Sequence, residues 1–409
     1  MNCRFCKHTV THQFIDLINS PASNSFLSKE QLNEPEVFFP LKVFVCEKCF
    51  LVQIDEYKKS DAIFDNSYVY FSSYSTSWLA HAKKYAELMI ARFGFNSKSQ
   101  VIEIASNDGY LLQYFKEKNI PVLGIEPTAN TAAAAKGKGI DSVIDFMGTR
   151  LAKDLVAKNQ TADLLLGNNV LAHVPDIIDF VNGMKLLLKP NGIITMEFPH
   201  LMQLIDHNQF DTIYHEHFSY LSCYTVKQIF ENAELELFDV DELPTHGGSL
   251  RIYAKHKVNK TQNISINVSR LLEKEIKKGI NKLDYYKGFQ QRAEKIKTEV
   301  LLFLLEQKKN GKKVVAYGAA AKGNTLLNYC GIKNDLINFV VDANPHKQGK
   351  HLPASHIPVM NEECLKTEKP DYVLILPWNI KEEITEQLAY IKEWGGMFVV
   401  TIPNLKIFS

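Results

Sequence analysis

Short apolar runs alternate with helical periodicity through the middle of the chain. Residues 101–103 form an apolar run that ends in a carboxylate, and a turn of small residues, a helical pattern and a second apolar run, residues 122–125, follow. Strand, tight turn, helix and strand in this order predict the first unit of a doubly wound parallel sheet. The same alternation predicts the later elements of this domain, namely helix 129–138, strand 142–146, a strand from residue 163, a helix to residue 188, a turn at 189–192 and strand 193–198.

Similar patterns continue on both sides of this domain. Residues 77–93 carry apolar side chains at helical spacing and lead into the sheet. Residues 257–309 are strongly charged and predict a mostly helical connector with one apolar stripe. Beyond residue 312 a second strand-and-helix unit begins, and further apolar runs predict strands at 339–342, 372–378 and 397–402. This half of the chain is either a second nucleotide-binding-like domain or a purely structural one.

The composition is that of an ordinary globular protein. Its 409 residues predict two or three domains, and 45% hydrophobic against 23% charged residues provide an ample core. The net charge of +1 argues against a protein that wraps nucleic acid, which needs a marked excess of lysine and arginine. Because no apolar run reaches about 18 residues and no signal-peptide segment follows the N-terminus, we expect no membrane span and a reducing, cytoplasmic location.

Four of the seven cysteines fall into two C-x2-C pairs. Two intervening residues allow both thiolates of a pair to reach one metal ion, and two pairs complete a tetrahedron with no open position. The spacing predicts a structural zinc site whose spacer carries a small insertion at residues 13–39. Four unligated thiols and a redox pair are weaker alternatives, since no βαβ unit surrounds either pair. The predicted ligands are Cys3, Cys6, Cys46 and Cys49.

The turn after the first predicted strand suggests a cofactor site. Its small residues allow backbone N–H groups to approach a ligand, and Glu126 at the next strand tip can accept hydrogen bonds from two ribose hydroxyls. The turn lacks a full G-x-G-x-x-G, which argues against a pyrophosphate and favours S-adenosylmethionine (SAM), a ligand with a ribose and no phosphate. A βαβ unit without a ligand is the alternative. The predicted SAM contacts here are Glu103, Ala105, Ser106, Asn107, Asp108, Gly109 and Glu126.

Later strand ends of the same domain carry further candidates. Phe146 closes a short predicted strand, where its ring can lie against adenine. The strand from residue 163 ends at Asn168 and Asn169, and ligands of such sheets bind at the carboxyl ends of the strands. The two asparagines are therefore predicted to hold the methionine part of SAM. His173 follows them and can face the substrate, although a plain structural histidine explains it equally well.

The segment YHEHFSY, residues 214–220, combines two histidines, a carboxylate and two tyrosines. Histidine has a reference pKa near ~6.5, so it can take a proton at neutral pH, and an adjacent carboxylate or phenol can tune it. The H-E-H spacing differs from H-E-x-x-H, which argues against a catalytic zinc. The alternative is a loop whose polar side chains satisfy one another. We favour catalysis, because the segment follows the strand that flanks the predicted cofactor cleft.

Two glycine turns complete the set of candidates. The turn at Gly247 and Gly248 runs into a strand, and its backbone, with Arg251, can face an anion. The turn at residues 318–325 resembles a Walker loop in spacing, but Asn324 stands where the phosphate-binding lysine belongs, which argues against NTP hydrolysis. A following strand ends at Asp342, as in a ribose-binding unit.

These motifs together resemble a known family. The two cysteine pairs are followed, in order, by EIASNDGYLL, GIEPTANTA, NNVLAHVPD, YHEHFSY, THGGSLR, YGAAAKGNT and VDANPHKQGK. The ordered set, which covers essentially the whole chain, is similar to the three-domain sugar C-methyltransferases, which methylate C3 of a nucleotide-bound 4-keto-deoxysugar. One departure is Ala105, where many relatives have glycine.

The resemblance implies an α/β architecture of three parts. These are a zinc-binding module at residues 1–65, a central Rossmann-like class I methyltransferase domain at 66–255, and a helical connector with a C-terminal Rossmann-like domain at 256–409 that helps bind the nucleotide sugar. It further implies an enolate mechanism with His217 as the base, with Tyr214 and Glu216 orienting, and with His173 and Tyr68 near the sugar. The implied contacts of the nucleotide or its phosphates are His246, Gly247, Gly248, Arg251, Lys322 and Asn324.

Other classes of protein stay open on the sequence alone. A SAM-dependent O- or N-methyltransferase would keep the middle domain without needing the C-terminal half. A zinc-containing binding or regulatory protein predicts a basic surface, which the net charge does not favour. A nicotinamide oxidoreductase using residues 317–342 leaves the first half unexplained. As partners we expect a nucleotide-sugar substrate, no nucleic acid and no membrane, with the protein a monomer or a weak homodimer.

Overall fold

The computed structural model describes residues 1–59 and 71–409, which form two compact units. Each unit is assembled from separate stretches of the chain. The first contains Met1–Thr11, Val45–Leu201 and Phe218–Tyr285, and the second contains His12–Phe44, Met202–His217 and Tyr286–Ser409. The segment that the sequence predicts as an insertion between the cysteine pairs is thus part of the second unit.

The strands and helices alternate over most of the described chain. The strands are β1 (His12–Ser20), β2 (Phe39–Val45), β3 (Val52–Ile54), β4 (Val101–Ile104), β5 (Val122–Ile125), β6 (Ser142–Val143), β7 (Ala162–Asn168), β8 (Leu188–Pro199), β9 (Ser219–Tyr220), β10 (Leu235–Leu243), β11 (Ser249–His256), β12 (Val314–Tyr317), β13 (Val340–Val341), β14 (Val359–Met360), β15 (Tyr372–Ile375), β16 (Met397–Val400) and β17 (Lys406–Phe408). The helices are α1 (Thr76–Phe93), α2 (Leu112–Lys116), α3 (Ala129–Gly137), α4 (Thr149–Ala157), α5 (Ile177–Leu187), α6 (Leu201–Asp206), α7 (Cys223–Asn232), α8 (Ile266–Lys278), α9 (Phe289–Lys309), α10 (Ala321–Cys330), α11 (Glu363–Glu368) and α12 (Lys381–Gln387).

A seven-stranded sheet forms the centre of the first unit. Its order is β10-β11-β8-β7-β4-β5-β6. Five adjacent strands, β8, β7, β4, β5 and β6, pair in parallel. By contrast, β11 is antiparallel to both β8 and β10. The carboxyl ends of the parallel strands therefore meet at one edge, which is where open sheets of this type bind ligands. The mixed α/β fold with its Rossmann-like sheet confirms the predicted fold class.

Helix α1 illustrates how the sequence builds this unit. The hydroxyl of Ser75 accepts a hydrogen bond from the Trp78 N–H and caps the start, and Gly94 ends the helix at φ 70°, in the left-handed region. Apolar side chains on one side, including Ala82 and Met89, are buried in the same hydrophobic core as Leu112 and Phe115 of α2. The predicted helix at 77–93 is confirmed.

The strands predicted at 339–342, 372–378 and 397–402 are shorter in the structure, at Val340–Val341, Tyr372–Ile375 and Met397–Val400, and two strands of the first unit differ more clearly. The β6 strand ends at Val143 because the chain turns there, with the Asp145 N–H bonded to the Val143 carbonyl at 3.1 Å. The β8 strand is longer than predicted, because the predicted turn at 189–192 is an irregular stretch inside it. In the pairing of β7 with β8, Ala162 lies opposite Leu188 and Leu164 lies opposite Ile193, so residues 189–192 have no partner in β7.

The second unit contains a six-stranded sheet of order β14-β13-β12-β15-β16-β17. All its pairs are parallel except β16 with the last strand, β17. Helices α9 and α10 pack against β1, and α10 also packs against a 3-10 turn at Phe210–Thr212. The C-terminal alternation that the sequence predicts is therefore a parallel α/β sheet, and the charged connector forms α8 and α9. Among the described residues no helix is both long and apolar enough to cross a membrane.

Candidate functional site

The four predicted zinc ligands lie together in the first unit. Their sulfur atoms are all within 4.8 Å of one another, with Cys3 and Cys49 at 3.5 Å and Cys6 and Cys46 also at 3.5 Å. Four thiolates around one zinc at about 2.3 Å would lie about 3.8 Å apart, so the cluster has the size of a tetrahedral site.

Groups around the cysteines support the same assignment. Gln53 donates a hydrogen bond from its Nε2 to the Cys3 sulfur at 3.3 Å, and the Arg4 N–H holds the Gln53 side chain by its oxygen at 2.9 Å. Such outer contacts orient a thiolate towards a metal. A hydrogen bond from Cys49 lowers the pKa of the Cys3 thiol to about 4, whereas burial raises that of Cys46 to about 11. Buried thiols this close need a cation before all four can ionise, so the cluster is a structural zinc site.

The predicted SAM loop lies between β4 and α2, and alternate residues of it adopt the left-handed backbone conformation. Ala105, Asn107 and Gly109 have φ values of 57°, 49° and 75°. A side chain at Gly109 would meet Ile140 Cδ1 at 2.6 Å, so glycine is needed there both for its conformation and for close packing. Ala105 adopts a conformation that costs an alanine about 1–2 kcal/mol, which explains why glycine suits this position better.

The carboxylate of Glu126 lies at the end of β5 and closes this loop. Its Oε2 accepts the Asn107 N–H at 2.8 Å, and its Oε1 accepts the Thr128 N–H at 2.9 Å together with the Thr128 hydroxyl. Glu126 is buried, so it is oriented by the protein before any ligand arrives. The predicted ribose contact is therefore also the group that fixes the position of the loop.

Glu103 occupies the end of β4 beneath the loop and is fully buried. Burial raises its pKa well above the usual range against the opposing effect of a hydrogen bond from Tyr110, and the charges of Glu126 and Asp108 raise it further. Three carboxyl groups therefore share this turn. Because the raised pKa keeps Glu103 protonated, only the other two carboxyl groups can contribute negative charge that attracts a positively charged group, such as the sulfonium or the ammonium of SAM.

The chain just before α1 lies against the same loop. The Ser72 N–H donates to Asn107 Oδ1 at 2.9 Å and the Ser73 N–H donates to Asp108 Oδ2 at 3.3 Å. Lys138 approaches the Asp108 carboxylate at 3.3 Å. The side chains that the sequence assigns to ligand contacts are thus held by backbone groups of residues 72 and 73. Tyr68, which the resemblance assigns near the sugar, lies outside the described residues.

The other predicted cofactor residues have different environments. Ser106 is buried with its hydroxyl against Gly124 of β5, and Asn168 is buried with an Nδ2 that has no hydrogen-bond partner among the described residues. Asn169 donates from its Nδ2 to the His246 ring nitrogen at 2.7 Å. Phe146 follows β6 and is 40% exposed, so its ring is accessible for stacking.

The turn from residue 245 to residue 248 is conformationally unusual. His246 has φ 53°, and Gly247 and Gly248 follow with φ 86° and 117°. The two glycines adopt positive φ without strain, whereas His246 occupies a region that costs a non-glycine residue energy, and such strain is concentrated at functional sites. His173, at the end of a 3-10 turn after β7, is half-buried.

The sequence reasoning missed a buried charge cluster on the first unit's sheet. Glu197 of β8 has an exposure of 0%, and its Oε2 is 2.9 Å from both the Arg251 Nη2 and the His81 Nε2. The Thr245 hydroxyl donates to the other oxygen, Oε1, at 3.0 Å. Arg251, predicted to face an anion, thus has its charge balanced inside the protein. Because the cluster joins α1, β8 and β11, no local motif in the sequence could have indicated it.

In the second unit the polar segment around residue 214 is well ordered by its own contacts. His217 is buried, and its Nδ1 is 2.9 Å from the Thr212 carbonyl oxygen. The ring of Tyr214 lies 4.0 Å from the His217 ring, centroid to centroid. The Asn24 amide donates to both carboxylate oxygens of Glu216, at 2.8 and 3.0 Å.

The same segment contacts the C-terminal half, which the sequence could not predict. The Thr325 hydroxyl of α10 donates to the Ile213 carbonyl at 2.9 Å. The Trp378 indole donates to Asp211 Oδ2 at 2.7 Å, and the Lys322 ammonium lies 4.7 Å from the centre of the Trp378 ring. Two motifs that are about 100 residues apart in the chain therefore form one polar cluster within the second unit.

Burial shifts the pKa values of the two charged groups of this cluster. It raises the pKa of Asp211 to about 6 in spite of the Lys322 charge and the Trp378 hydrogen bond, and it lowers the pKa of Lys322 to about 8 in spite of Asp211. Lys322 also donates to the Asn379 side-chain oxygen at 2.6 Å. A lysine that is desolvated in this way gains from an additional anionic partner.

The remaining candidates of this unit interact with its own backbone. Asn324 donates from its Nδ2 to the Ser23 carbonyl at 2.6 Å and is buried. Asp342 accepts the Ala319 N–H at 2.7 Å, and the Lys347 ammonium is 3.6 Å from its carboxylate. The acid at the end of β13 therefore already stabilises the turn after β12.

The zinc site and the sheet with its loop define a zinc-containing, SAM-dependent methyltransferase. Family models match the chain in three consecutive parts: a "Putative zinc binding domain" at residues 3–64, a methyltransferase domain at 78–240 and a C-methyltransferase C-terminal domain at 244–403. The chain is 33% identical over 407 residues to C-methyltransferase NovU of Streptomyces niveus, covering 100% of this chain and 96% of that protein. It belongs to this family of C-methyltransferases.

Two further similarities each cover less than half of the chain. A ubiquinone biosynthesis O-methyltransferase of Rhodopseudomonas palustris is 30% identical over 114 residues, which is 26% of this chain and 44% of that protein. The solved structure of a SAM-dependent methyltransferase from Anabaena variabilis covers 44% of this chain and 86% of its own, with 15% identity and a TM-score of 0.36.

Removal of one zinc ligand tests the metal site. We expect the wild-type protein to contain about one zinc per chain, and Cys49→Ser to lose the metal and to be destabilised by several kcal/mol, because the ligand set is then incomplete. Elemental analysis and the thermal midpoint measure both effects. Cys364→Ser, at an isolated cysteine outside the cluster, is the matched control and should retain the metal. A Cys49→Ser protein with a full zinc content would contradict the assignment.

The raised pKa of Asp211 predicts a pH-dependent stability effect. The folded protein keeps this proton up to about pH 6, whereas an unfolded aspartate loses it near 3.8, so folding stability falls as the pH rises between these values. Asp211→Asn removes this loss, which amounts to about 3 kcal/mol.

Thermal midpoints of the wild type and the variant at several pH values measure the effect. Relative to wild type, Asp211→Asn should gain stability between pH 4 and pH 7, while Asp206→Asn, at an exposed aspartate, should show no such trend. A difference between wild type and Asp211→Asn that does not vary with pH would contradict the burial of an ionisable group there.

Proposed function

We propose that the protein methylates C3 of a nucleotide-linked 4-keto-deoxysugar through an enolate that His217 generates. The observation that carries this proposal is the hydrogen bond between His217 Nδ1 and the Thr212 carbonyl oxygen. A carbonyl can only accept, so Nδ1 holds the proton and the neutral ring has its basic lone pair on Nε2. A base with a fixed tautomer is what proton abstraction next to a ketone requires.

The reaction balances with these groups. His217 Nε2 takes the C3 proton, and the electrons of the C–H bond form the enolate with the C4 carbonyl. The C3 carbanion then attacks the SAM methyl group, the C4 ketone re-forms, and the sulfonium becomes a neutral thioether. The proton leaves His217 for solvent. Alignment of the two reactants contributes to the rate in addition to the base.

The other polar groups of the segment support the base. The Tyr214 ring lies against His217 at a tilt of 34° and can orient both the imidazole and the sugar. Glu216, fixed by Asn24, positions the turn that carries them. By the resemblance, His173 and Tyr68 lie near the sugar. We assign them as contacts of the acceptor rather than as bases.

The nucleotide and its diphosphate need donors and positive charge. Lys322, desolvated beside Trp378, and Asn324 at the start of α10 provide a cation and an amide. The backbone of the turn at Gly247 and Gly248, with His246 and Arg251, is assigned by the resemblance to the same nucleotide and its diphosphate.

In this proposal the chain has three functional parts. They are the zinc-binding module at residues 1–65, the methyltransferase domain at 66–255, and the connector with the C-terminal domain at 256–409.

The proposal assigns the SAM contacts to the residues that the sequence predicts. Glu126 is assigned to the ribose hydroxyls, and Asn168 and Asn169 to the methionine part. Phe146 is assigned to the adenine ring. The remaining contacts are in the turn itself, at Glu103, Ala105, Ser106, Asn107, Asp108 and Gly109.

The rival activities are less well supported. Heteroatom methylation does not require a fixed imidazole base beside a phenol, and the relative that matches over the full length is a C-methyltransferase. A nicotinamide oxidoreductase that used residues 317–342 would leave the zinc-binding and methyltransferase domains, matched at residues 3–64 and 78–240, without a role.

Exchange of the C3 proton tests the proposal without requiring turnover. A panel of NDP-4-keto-6-deoxysugars in D2O is incubated with the enzyme and S-adenosylhomocysteine, and loss of the C3–H signal is followed by NMR. We expect rapid exchange on at least one sugar, and a decrease of at least about 100-fold in His217→Ala, because general base catalysis contributes this much or more.

The matched control is His207→Ala, at an exposed histidine of the second unit, which should exchange at the wild-type rate. Binding of S-adenosylhomocysteine, measured by calorimetry, should be unchanged in both variants. Wild-type protein that binds the cofactor product but exchanges no sugar in the panel would overturn the proposal. Full exchange in His217→Ala would remove that residue from the role of base.

A further inference from the structure

The first cysteine pair of the zinc site carries an arginine that reaches beyond the metal. Arg4 stands between Cys3 and Cys6, and its guanidinium donates to two backbone carbonyls. Its Nη2 donates to Ile54, at the end of β3, at 2.5 Å, and its Nη1 donates to Pro175, in the loop after β7, at 2.7 Å. The planar guanidinium fork can hold two acceptors at once. One side chain therefore ties the zinc module to the methyltransferase domain.

The loop from residue 169 to residue 175, which carries His173, is held at both ends. The Asn169 N–H donates to a carbonyl oxygen of β8 at 2.7 Å, so the sheet fixes the start of the loop. Arg4 fixes its end, and the backbone of Pro175 can be bonded only through the carbonyl, because proline has no N–H. His173 lies between these points, at the end of a 3-10 turn. Its position therefore depends on Arg4.

The same arginine contacts the neighbour of the proposed base. The guanidinium carbon of Arg4 lies 5.3 Å from the centre of the Phe218 ring, a cation–π contact, and Phe218 directly follows His217 in the chain. The Ile54 N–H also donates to the Phe218 carbonyl at 3.2 Å. Because the peptide unit between residues 217 and 218 is planar and stiff, a displacement of Phe218 is passed on to His217.

Strand pairing connects these contacts to the metal ligands. Gln53 of β3 donates to the Cys3 sulfur at 3.3 Å and lies opposite Ser219 in the pairing of β3 with β9. The β9 strand in turn packs against the 3-10 turn that carries His173. The zinc ligands, β3, β9 and this turn are therefore contiguous within the first unit, and Arg4 contacts three of their segments.

The environment of Arg4 indicates a contact that fixes geometry. Burial lowers the pKa of Arg4, although the charges of Glu56 and Asp55 oppose this effect. The side chain has thus lost much of its water, and its two hydrogen bonds go to neutral carbonyls. Because the loss of hydration offsets much of what these bonds contribute, the contact adds little net stability. Its main consequence is the fixed position of the groups that it joins.

We propose that Arg4 is a positioning residue for methyl transfer, which holds the loop of His173 and Phe218, the neighbour of His217, in fixed places. This inference rests on the proposed enolate mechanism. In it the cysteines anchor Arg4, and Arg4 anchors two segments assigned to the acceptor, so the zinc module serves the reaction as well as the fold. A displacement of about 1 Å at a reacting group can cost about 100-fold in rate.

Arg4→Met tests the assignment, because it keeps an unbranched side chain and removes every donor. We expect kcat for C3 exchange with S-adenosylhomocysteine to fall about 10- to 100-fold. The zinc content should stay at about one per chain, since all four ligands remain. The dissociation constant of S-adenosylhomocysteine should change less than about twofold, because Arg4 makes no contact with the turn at residues 105–109. A role in folding alone would lower the thermal midpoint and leave kcat per zinc-loaded, folded molecule unchanged.

Arg4→Lys is the second variant. Its single ammonium keeps the charge but cannot bridge two carbonyls as the guanidinium fork does. We expect it to retain zinc and to have a kcat between those of wild type and Arg4→Met, and it decides the question if Arg4→Met loses the metal. The matched control is Lys48→Met, which removes an exposed cation between the other two cysteines and should keep the wild-type exchange rate.

The outcomes separate this inference from the proposed function. A wild-type kcat in every zinc-loaded Arg4 variant would overturn the role of Arg4 and leave the proposed function intact. Wild-type protein that binds S-adenosylhomocysteine but exchanges no sugar would overturn both.

Discussion

The first unit depends on one tight turn, the left-handed chain between β4 and α2. Three of its residues have positive φ, and a Cβ at Gly109 would lie 2.6 Å from Ile140 Cδ1, so a larger residue would be strained and Ile140 would have to move. Glu126 holds the turn from the next strand through the Asn107 N–H. The carboxyl groups of Asp108 and Glu126 lie at this turn, on the edge where sheets of this type bind ligands, while burial raises the pKa of Glu103 and favours its neutral form. The tight turn and its hydrogen bond to Glu126 thus set the conformation of the loop, including the strained backbone of Ala105.

Buried charge is the second theme of the molecule. Glu197 with Arg251 in the first unit, and Asp211 with Lys322 in the second, are ionisable groups in places where apolar residues would be more stabilising. Both clusters lie beside polar turns that the sequence marks as functional. Proteins retain such costs where the chemistry requires them, and the two clusters explain why these turns keep a fixed geometry.

Much of the architecture could be predicted because its signals are local. The C-x2-C pairs, the strand-turn-helix pattern at residue 101 and the alternation after residue 312 each depend on a few neighbouring residues, and the zinc cluster and both sheets follow them. Motif order also indicated the family, which the full-length similarity confirms.

The remaining features are produced by contacts that no local pattern encodes. The segment before His217 packs on α10 and Trp378, more than 100 residues later in the chain, and residues 12–44 join the same unit. The triad of His81, Glu197 and Arg251 depends on strand register and on the packing of α1, so its members appear unrelated in the sequence. The irregular stretch of β8 resembles a turn, because Pro190, Asn191 and Gly192 are turn-forming residues wherever they occur.

The central claim is that the protein forms a carbon–carbon bond at a position next to a sugar ketone. The most direct measurement uses SAM labelled with 13C in its methyl group, the accepted 4-keto-deoxysugar nucleotide and two-dimensional NMR of the product. We expect one labelled methyl group bonded to C3, with a long-range correlation to the C4 carbonyl carbon and no remaining C3–H signal. A labelled methyl with the shift of a methoxy or N-methyl group would contradict it.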